Sequence, residues 1–75
     1  MKLKEFKIKN DYVFDLKFED GIVRTVDMSK LIKSKVKVNE LNTAHIDKEW
    51  GCLEFKNGTV DISPKTLYNF SKLNG

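Results

Sequence analysis

The clearest pattern in the chain is the alternation of hydrophobic and polar residues between positions 12 and 19. Every second position is hydrophobic, namely Tyr12, Phe14, Leu16 and Phe18. Successive side chains of a β-strand point to opposite faces, so this period of two predicts a strand with one buried face. The shorter segment from Leu3 to Lys9 mixes hydrophobic residues with lysines and predicts a strand that precedes it.

The dipeptide Asp20-Gly21 separates the alternating strand from a second hydrophobic segment, residues 22–26. Glycine accepts a positive φ, and Asp-Gly between two such segments predicts a β-hairpin. Two registers are open. A two-residue turn pairs Phe18 with Val23, whereas a three-residue loop with a bulge pairs Phe18 with Ile22. The choice matters because a slip of one residue turns the whole strand over.

A similar segment recurs further along the chain. Leu, Phe, Gly and Val occur at identical spacing in residues 16–23 and 53–60. In the second copy, a two-residue Asn57-Gly58 turn pairs Phe55 with Val60, which favours the same short turn in the first copy. Either an ancient duplication or two hairpins with the same turn chemistry would explain the repeat.

The second hairpin leads into a predicted C-terminal helix. Ser63 is a favourable N-cap, and Pro64 suits the first helical position because its missing N–H has no partner there. The hydrophobic spacing that follows predicts a helix over residues 64–73, packed on the sheet through Leu67 and Phe70.

Shorter elements complete the prediction. A helical turn begins at Ser29, residues 39–44 have turn and helix-start character, and residues 46–50 favour a strand that leads into residues 52–55. The expected fold class is α+β: a mainly antiparallel sheet built on two hairpins, with a C-terminal helix packed on one face and one or two short helical turns. With 75 residues, we expect a single domain, residues 1–75, with a thin core and no room for a large cofactor fold.

The net charge of +3 is distributed unevenly. Residues 2–9 carry a net +3 and residues 30–37 a net +4, so the remainder carries −4. Such stretches attract an acidic protein or a nucleic-acid backbone, although lysines also simply solvate strands and loops. Arg24 is the only arginine, which disfavours forked contacts to bases. The candidate partner-binding lysines are Lys30, Lys33, Lys35 and Lys37.

Few side chains could carry chemistry. His45 and Cys52 are the only histidine and cysteine, and no motif around them supports a nucleophilic site. His45, Asp47 and Glu49 would share one face of a strand, which suits a metal ion but is equally ordinary for a solvent-facing strand. We therefore expect no catalytic residue, no metal site and no cofactor. Trp50 fits either a lid over the core or an interface anchor, and it joins the candidate partner-binding residues.

Cysteine usage and hydropathy bear on the compartment. A single cysteine provides no disulfide framework, which favours a reducing environment. The N-terminal residues lack the apolar stretch of a signal peptide, and no apolar segment is long enough to span a membrane. We expect a cytoplasmic protein that is a monomer or weak dimer and does not bind membranes.

Residues 53–68 read Leu-Glu-Phe-Lys-Asn-Gly-Thr-Val-Asp-Ile-Ser-Pro-Lys-Thr-Leu-Tyr. This segment resembles the signature of a bacterial family, domain-of-unknown-function family 2442, in which an aromatic residue and Asn-Gly precede Asp-Ile-x-Pro and Thr-Leu-Tyr. Residues 12–27 resemble the family's N-terminal half. The sequence departs from the pattern at Phe55, where tryptophan is common. The family-motif residues matched here are Asn57, Gly58, Asp61, Pro64, Leu67 and Tyr68.

The resemblance implies a small α+β fold and no established catalysis. Members of that family are often encoded beside small toxin-like proteins, which implies a toxin-like neighbour as the protein partner. We therefore expect a non-enzymatic protein-binding or regulatory module with an antitoxin-like role. The alternative is a nucleic-acid-binding accessory protein that uses the lysine-rich stretches. Some members carry a helix-turn-helix, and no such motif fits into the remaining residues.

Overall fold

A computed structural model describes residues 1–74 of the chain. A 3₁₀ helix over Val38–Thr43 lies between the first helix and the fourth strand. The strands and helices are β1 (Leu3–Asn10), β2 (Val13–Phe18), β3 (Val23–Asp27), α1 (Ser29–Ile32), β4 (His45–Asp47), β5 (Cys52–Phe55), β6 (Val60–Ile62) and α2 (Pro64–Asn74).

The strands form two antiparallel sheets of three strands each, in the orders β1-β2-β3 and β4-β5-β6. The α+β class is therefore confirmed, and each predicted hairpin lies in a sheet of its own. The sequence pattern did not predict the hairpin between β4 and β5. Its two strands are short, and residues 48–51 turn the chain where the pattern predicted a strand up to residue 50.

The first hairpin adopts the three-residue loop rather than the two-residue turn that the repeat favoured. Phe14 pairs with Val26, and the Phe18 N–H donates to the Ile22 C=O at 3.1 Å. Gly21 has a φ of 86°. The favoured register was wrong because the core selects the strand face: Val26 is fully buried, whereas Val23 is 57% exposed.

The second hairpin has the predicted register, with Phe55 opposite Val60. Asn57 and Gly58 have φ values of 58° and 84°, as the two central positions of a type I′ turn require. Lys56 also lies in the left-handed region, at φ 54°, which is uncommon for a residue with a side chain.

One hydrophobic core joins the two sheets. The Phe14 and Phe55 rings, one from each sheet, meet edge to face with 6.2 Å between their centroids. The Tyr12 hydroxyl donates to the Val36 carbonyl at 2.6 Å, which fixes the chain after α1. The fully buried hydrophobic side chains are Phe14, Leu16, Phe18, Val26, Met28, Ile32, Val36, Leu53, Phe55 and Leu67.

Gly51 holds the sheets close at a second point. The Leu3 N–H donates to its carbonyl at 3.2 Å, and its φ is 75°. A Cβ at this position would lie 2.4 Å from the Cβ of Lys2 and 2.7 Å from its Cα. Only glycine allows the backbone of β1 to pass this turn so closely.

The C-terminal helix begins as predicted. The Ser63 hydroxyl accepts a hydrogen bond from the Thr66 N–H at 3.2 Å, and Pro64 is the first helical residue. Leu67 is fully buried, and Phe70 is half-buried against the core. The helix therefore packs through the two side chains that the pattern indicated.

Candidate functional site

The lysine segment, residues 30–37, runs from α1 to the start of the 3₁₀ helix. All four of its lysines are exposed, and none of the salt bridges found among residues 1–74 includes them. Ile32 and Val36 of this segment are fully buried and anchor it to the core. The chain therefore presents four unpaired ammonium groups on a fixed backbone.

Two carboxylates flank the lysine segment. The Ser29 N–H donates to Asp27 at 2.9 Å, and this bond, the Ser29 hydroxyl and the nearby Lys30 keep the pKa of Asp27 below its ordinary value. The Lys37 N–H donates to the Glu40 carboxylate at 2.9 Å. This hydrogen bond, followed by the nearby charge of Lys56, lowers the pKa of Glu40. Both flanking carboxylates remain charged, and each already accepts a backbone N–H. They therefore do not neutralise the lysines, and the centre of the segment stays positive.

Lys56 ties the lysine segment to the second hairpin. Its N–H donates to the Thr43 hydroxyl at 2.9 Å, and its Nζ lies 3.4 Å from the Lys35 carbonyl and 3.6 Å from Glu40. These contacts hold the left-handed backbone of Lys56 in place. They also put Lys35 near the turn that precedes β6.

A groove lies between α1 and β6, with a volume of about 610 Å³. We call it the edge groove. Its walls include Leu31 and Lys35 on one side and Val60 on the other. Because β6 is the last strand of its sheet, the groove runs along an open sheet edge. The lining residues are Leu31, Ile32, Lys35, Thr59, Val60, Asp61, Ile62, Ser63 and Thr66.

Trp50 does not cover the core. It lies in the turn that precedes β5, and its side chain is 64% exposed. Its backbone nitrogen lies 3.4 Å from the Asp47 carboxylate. Lys56 and Lys35 lie beyond the other end of β5, roughly 13 Å away at the rise of an extended strand. The structure therefore does not bring Trp50 together with the lysine segment.

His45 is held by two acceptors. Its Nδ1 lies 3.3 Å from the Thr43 carbonyl and its Nε2 lies 2.8 Å from the Glu54 carboxylate. The Thr43 carbonyl and then the Glu54 carboxylate raise the pKa of His45 above its ordinary value of 6.5, because both favour the charged ring.

Cys52 lies on the same outer face of the second sheet. Burial, followed by the negative charge of Asp61, raises the pKa of its thiol. The protonated thiol is a poor nucleophile, because the thiolate is the reactive form. The Cys–His pair therefore lacks an activated sulfur.

The sequence-predicted metal triad does not assemble on one strand. His45 and Asp47 belong to β4, but Glu49 lies in the turn, where its N–H donates to the Asp47 carboxylate at 3.0 Å. Within residues 1–74, no three ligand side chains are grouped so that they could hold a metal ion.

The family-motif residues shape the second hairpin and helix. Asn57 and Gly58 form the turn, Pro64 begins α2, and Leu67 is buried. At the corresponding position before α1, Asp27 accepts the Ser29 N–H. Asp61 lies exposed opposite Glu54, and Ser63 caps α2.

Tyr68 is the centre of a cluster that sequence reasoning missed. Its ring meets Phe18 edge to face at 5.0 Å and lies under Arg24 at 5.7 Å and Lys72 at 5.4 Å. Its hydroxyl donates to Asp20 at 3.2 Å. The i to i+4 spacing of Tyr68 and Lys72 could have indicated their contact, but the long-range partners depend on the docking of α2.

Together these features define the class of protein: a small α+β domain whose two antiparallel sheets share one core and are flanked by a C-terminal helix. The model of a family described as a protein of unknown function (DUF2442) matches residues 3–72, and the chain belongs to this family. Comparisons with curated proteins and with solved structures give no match. No helix within residues 1–74 is both long and apolar enough to cross a membrane.

Proposed function

We propose that this domain is a non-enzymatic module that binds another protein in the cytoplasm, as the antitoxin-like partner of a toxin-like neighbour. The observation that carries the proposal is the lysine segment: its lysines are exposed and lack salt-bridge partners within residues 1–74. The backbone of the segment is already held by Ile32 and Val36, so an acidic surface that binds there orders only the lysine side chains. The domain acts as a monomer or weak dimer.

Several features support a binding role over an enzymatic one. His45 is already engaged by Thr43 and Glu54, and the Cys52 thiol is held protonated by burial and nearby carboxylates. A general base must reach the proton that it abstracts, and a nucleophile must be activated. Neither condition is met by these two side chains.

The alternative function is nucleic-acid binding, and the same lysines favour it. Other residues count against it. Arg24 is half-buried over Tyr68, and Phe14 and Phe18 are fully buried. The chain therefore offers neither a forked arginine contact nor the aromatic platform on which single-stranded bases stack.

The test is co-purification and calorimetry with the product of the adjacent gene, the partner that this proposal expects to be toxin-like. The informative variant is the double substitution Lys33→Glu and Lys35→Glu. Its matched control is Lys48→Glu and Lys65→Glu, which makes the same change in net charge at exposed positions outside the lysine segment. We expect the first variant to weaken binding about 10-fold or more and the control to leave it within about twofold.

Equal loss in both variants, or no binding by the wild-type chain, would contradict the proposal. Retardation of DNA or RNA whose affinity falls steeply with salt would support the alternative, because phosphate binding releases counterions. Wild-type and variants should first be compared by circular dichroism, so that loss of folding is recognised.

A further inference from the structure

The edge groove exposes backbone groups of β6 that are set up for strand pairing. The Phe55 carbonyl accepts the Gly58 N–H at 3.1 Å, and the N–H of the same peptide, that of Lys56, points away from β6 to the Thr43 hydroxyl. The backbone groups of Phe55 therefore face β6, and Phe55 and its partner Val60 form a hydrogen-bonded pair. Bonded and non-bonded pairs alternate in an antiparallel ladder. Val60 and Ile62 therefore bond to β5, whereas Asp61 directs its N–H and C=O groups to the open edge.

The other sheet edges are less accessible. β3 lies against α2, and β4 lies beside β1. The edge of β1 bears lysines along its length, and edge lysines oppose strand pairing. β6 contains only Val60, Asp61 and Ile62, with no lysine, and the edge groove leaves space beside it.

The two faces of an added strand would meet opposite chemistry. Residues directly opposite Val60 and Ile62 would face Leu31 and Lys35 in the edge groove, because paired residues share a face. The residue opposite Asp61 would face the outer side, which is acidic through Glu54 and Asp61. An acidic side chain suits the first face and is repelled on the second.

We propose that the edge groove binds an extended peptide segment of a partner protein, which adds to β6 as a fourth strand. Its groove-facing positions carry one acidic residue for Lys35 and one aliphatic residue for Leu31, and its outward position is neutral or basic. The inference rests on the proposed function, since it names the surface by which the module binds its partner. Backbone bonds supply affinity in such an addition, and alternate side chains supply specificity.

The experiment uses synthetic heptapeptides with the full chain. The first alternates threonine with one glutamate and two valines. The second has lysine in place of glutamate, and the third has N-methyl groups on the amides that would pair with β6. Binding is followed by amide hydrogen exchange and chemical shifts, with peptide up to roughly 5 mM to cover weak affinities.

We expect the first peptide to slow exchange at Asp61. The Val60 and Ile62 amides, already bonded to β5, are the internal controls and should not change. Charge reversal of the peptide, or Lys35→Glu in the protein, should weaken binding about fivefold, whereas Lys48→Glu should not. N-methylation should abolish binding.

Three outcomes would overturn the proposal: no saturable shift with the first peptide, binding without protection of Asp61, or equal binding of the N-methylated peptide. Protection of the same amide by raising protein concentration alone would assign the edge to a second copy. If the toxin-like neighbour binds but leaves this amide unchanged, the proposed function stands and the edge site fails. If the first peptide protects it but the neighbour does not bind, the edge site stands and the proposed partner fails.

Discussion

The two hairpins share their sequence motif but not their register. Around Asp20-Gly21 the chain forms a three-residue loop, whereas Asn57-Gly58 lies within a four-residue loop, residues 56–59, that joins Phe55 to Val60. In both, glycine takes a φ near 85°. The turn dipeptide therefore marks where the chain reverses, while the strand faces decide the pairing. In the first hairpin, the chosen register buries Val26 and leaves Val23 in solvent.

The hairpins also differ in how their surroundings constrain them. A Cβ at Gly21 would meet no atom within 4 Å, and one at Gly58 would meet only the Glu54 carboxylate at 3.7 Å. Gly51, in the extra hairpin of the second sheet, has the backbone of Lys2 against it. The space for an added side chain is therefore smallest where the two sheets meet, and not at the repeated turns.

The largest effect should come from Gly51→Ala. The change adds a Cβ that overlaps the Lys2 backbone at a positive φ, so the unfolding free energy should fall by about 3 kcal/mol or more. Gly21→Ala, with the same conformational penalty but open space, should cost only about 1 kcal/mol. Urea denaturation of both variants measures the difference; equal losses would mean that the contact between the sheets is unimportant.

Val26→Thr should be the next in size. It places a hydroxyl in the fully buried position opposite Phe14, which should cost about 2 kcal/mol in unfolding free energy. Val23→Thr, at an exposed position of the same strand, should change it by less than about 0.5 kcal/mol. The two-residue register would reverse this order, because it would turn Val23 inward.

Coupling between the sheets should be smaller but measurable. In a double-mutant cycle, Phe14→Leu and Phe55→Leu should show a coupling free energy of about 1 kcal/mol, because their rings meet edge to face. Phe18→Leu is the comparison, since its ring packs on Tyr68. Strict additivity for the Phe14–Phe55 pair in thermal or urea unfolding would show that the sheets do not stabilise each other through this contact.

The smallest expected effect is a pH dependence of the unfolding free energy. It arises from the outer face of the second sheet and not from that of the first. The pKa of His45 is raised in the folded state, so its contribution is complete below the ordinary value and is lost as pH rises through the folded value. Stability should therefore fall on going from about pH 6 to pH 8. The first sheet has instead a Thr25–Asp15 hydrogen bond of 2.6 Å, which involves no histidine.

His45→Gln is the control for the pH effect. Unfolding measured at both pH values should show a weaker dependence in this variant, because glutamine does not titrate. An unchanged pH dependence in this variant would contradict the assignment of the effect to His45.

Much of the fold followed from local patterns. The alternation at residues 12–18 predicted β2 and its buried face, and Ser63-Pro64 predicted where α2 begins. The candidate site was only partly predictable. The lysines were found from their density along the chain, but Trp50 was grouped with them although β5 separates the two. Apart from the spacing of Tyr68 and Lys72, no local signal indicated the Tyr68 cluster or the edge groove, because both bring together residues distant in sequence.

The sequence alone determined where the chain reverses and which residues are apolar, because turn preferences and side-chain periods act over a few neighbours. It also determined the family, through the motif that Asn57, Gly58, Asp61, Pro64, Leu67 and Tyr68 compose. Tertiary packing determined the register of the first hairpin, the division into two sheets and the open edge at β6. These depend on which faces can be buried together and on close backbone approaches such as that at Gly51, which arise only when distant segments meet.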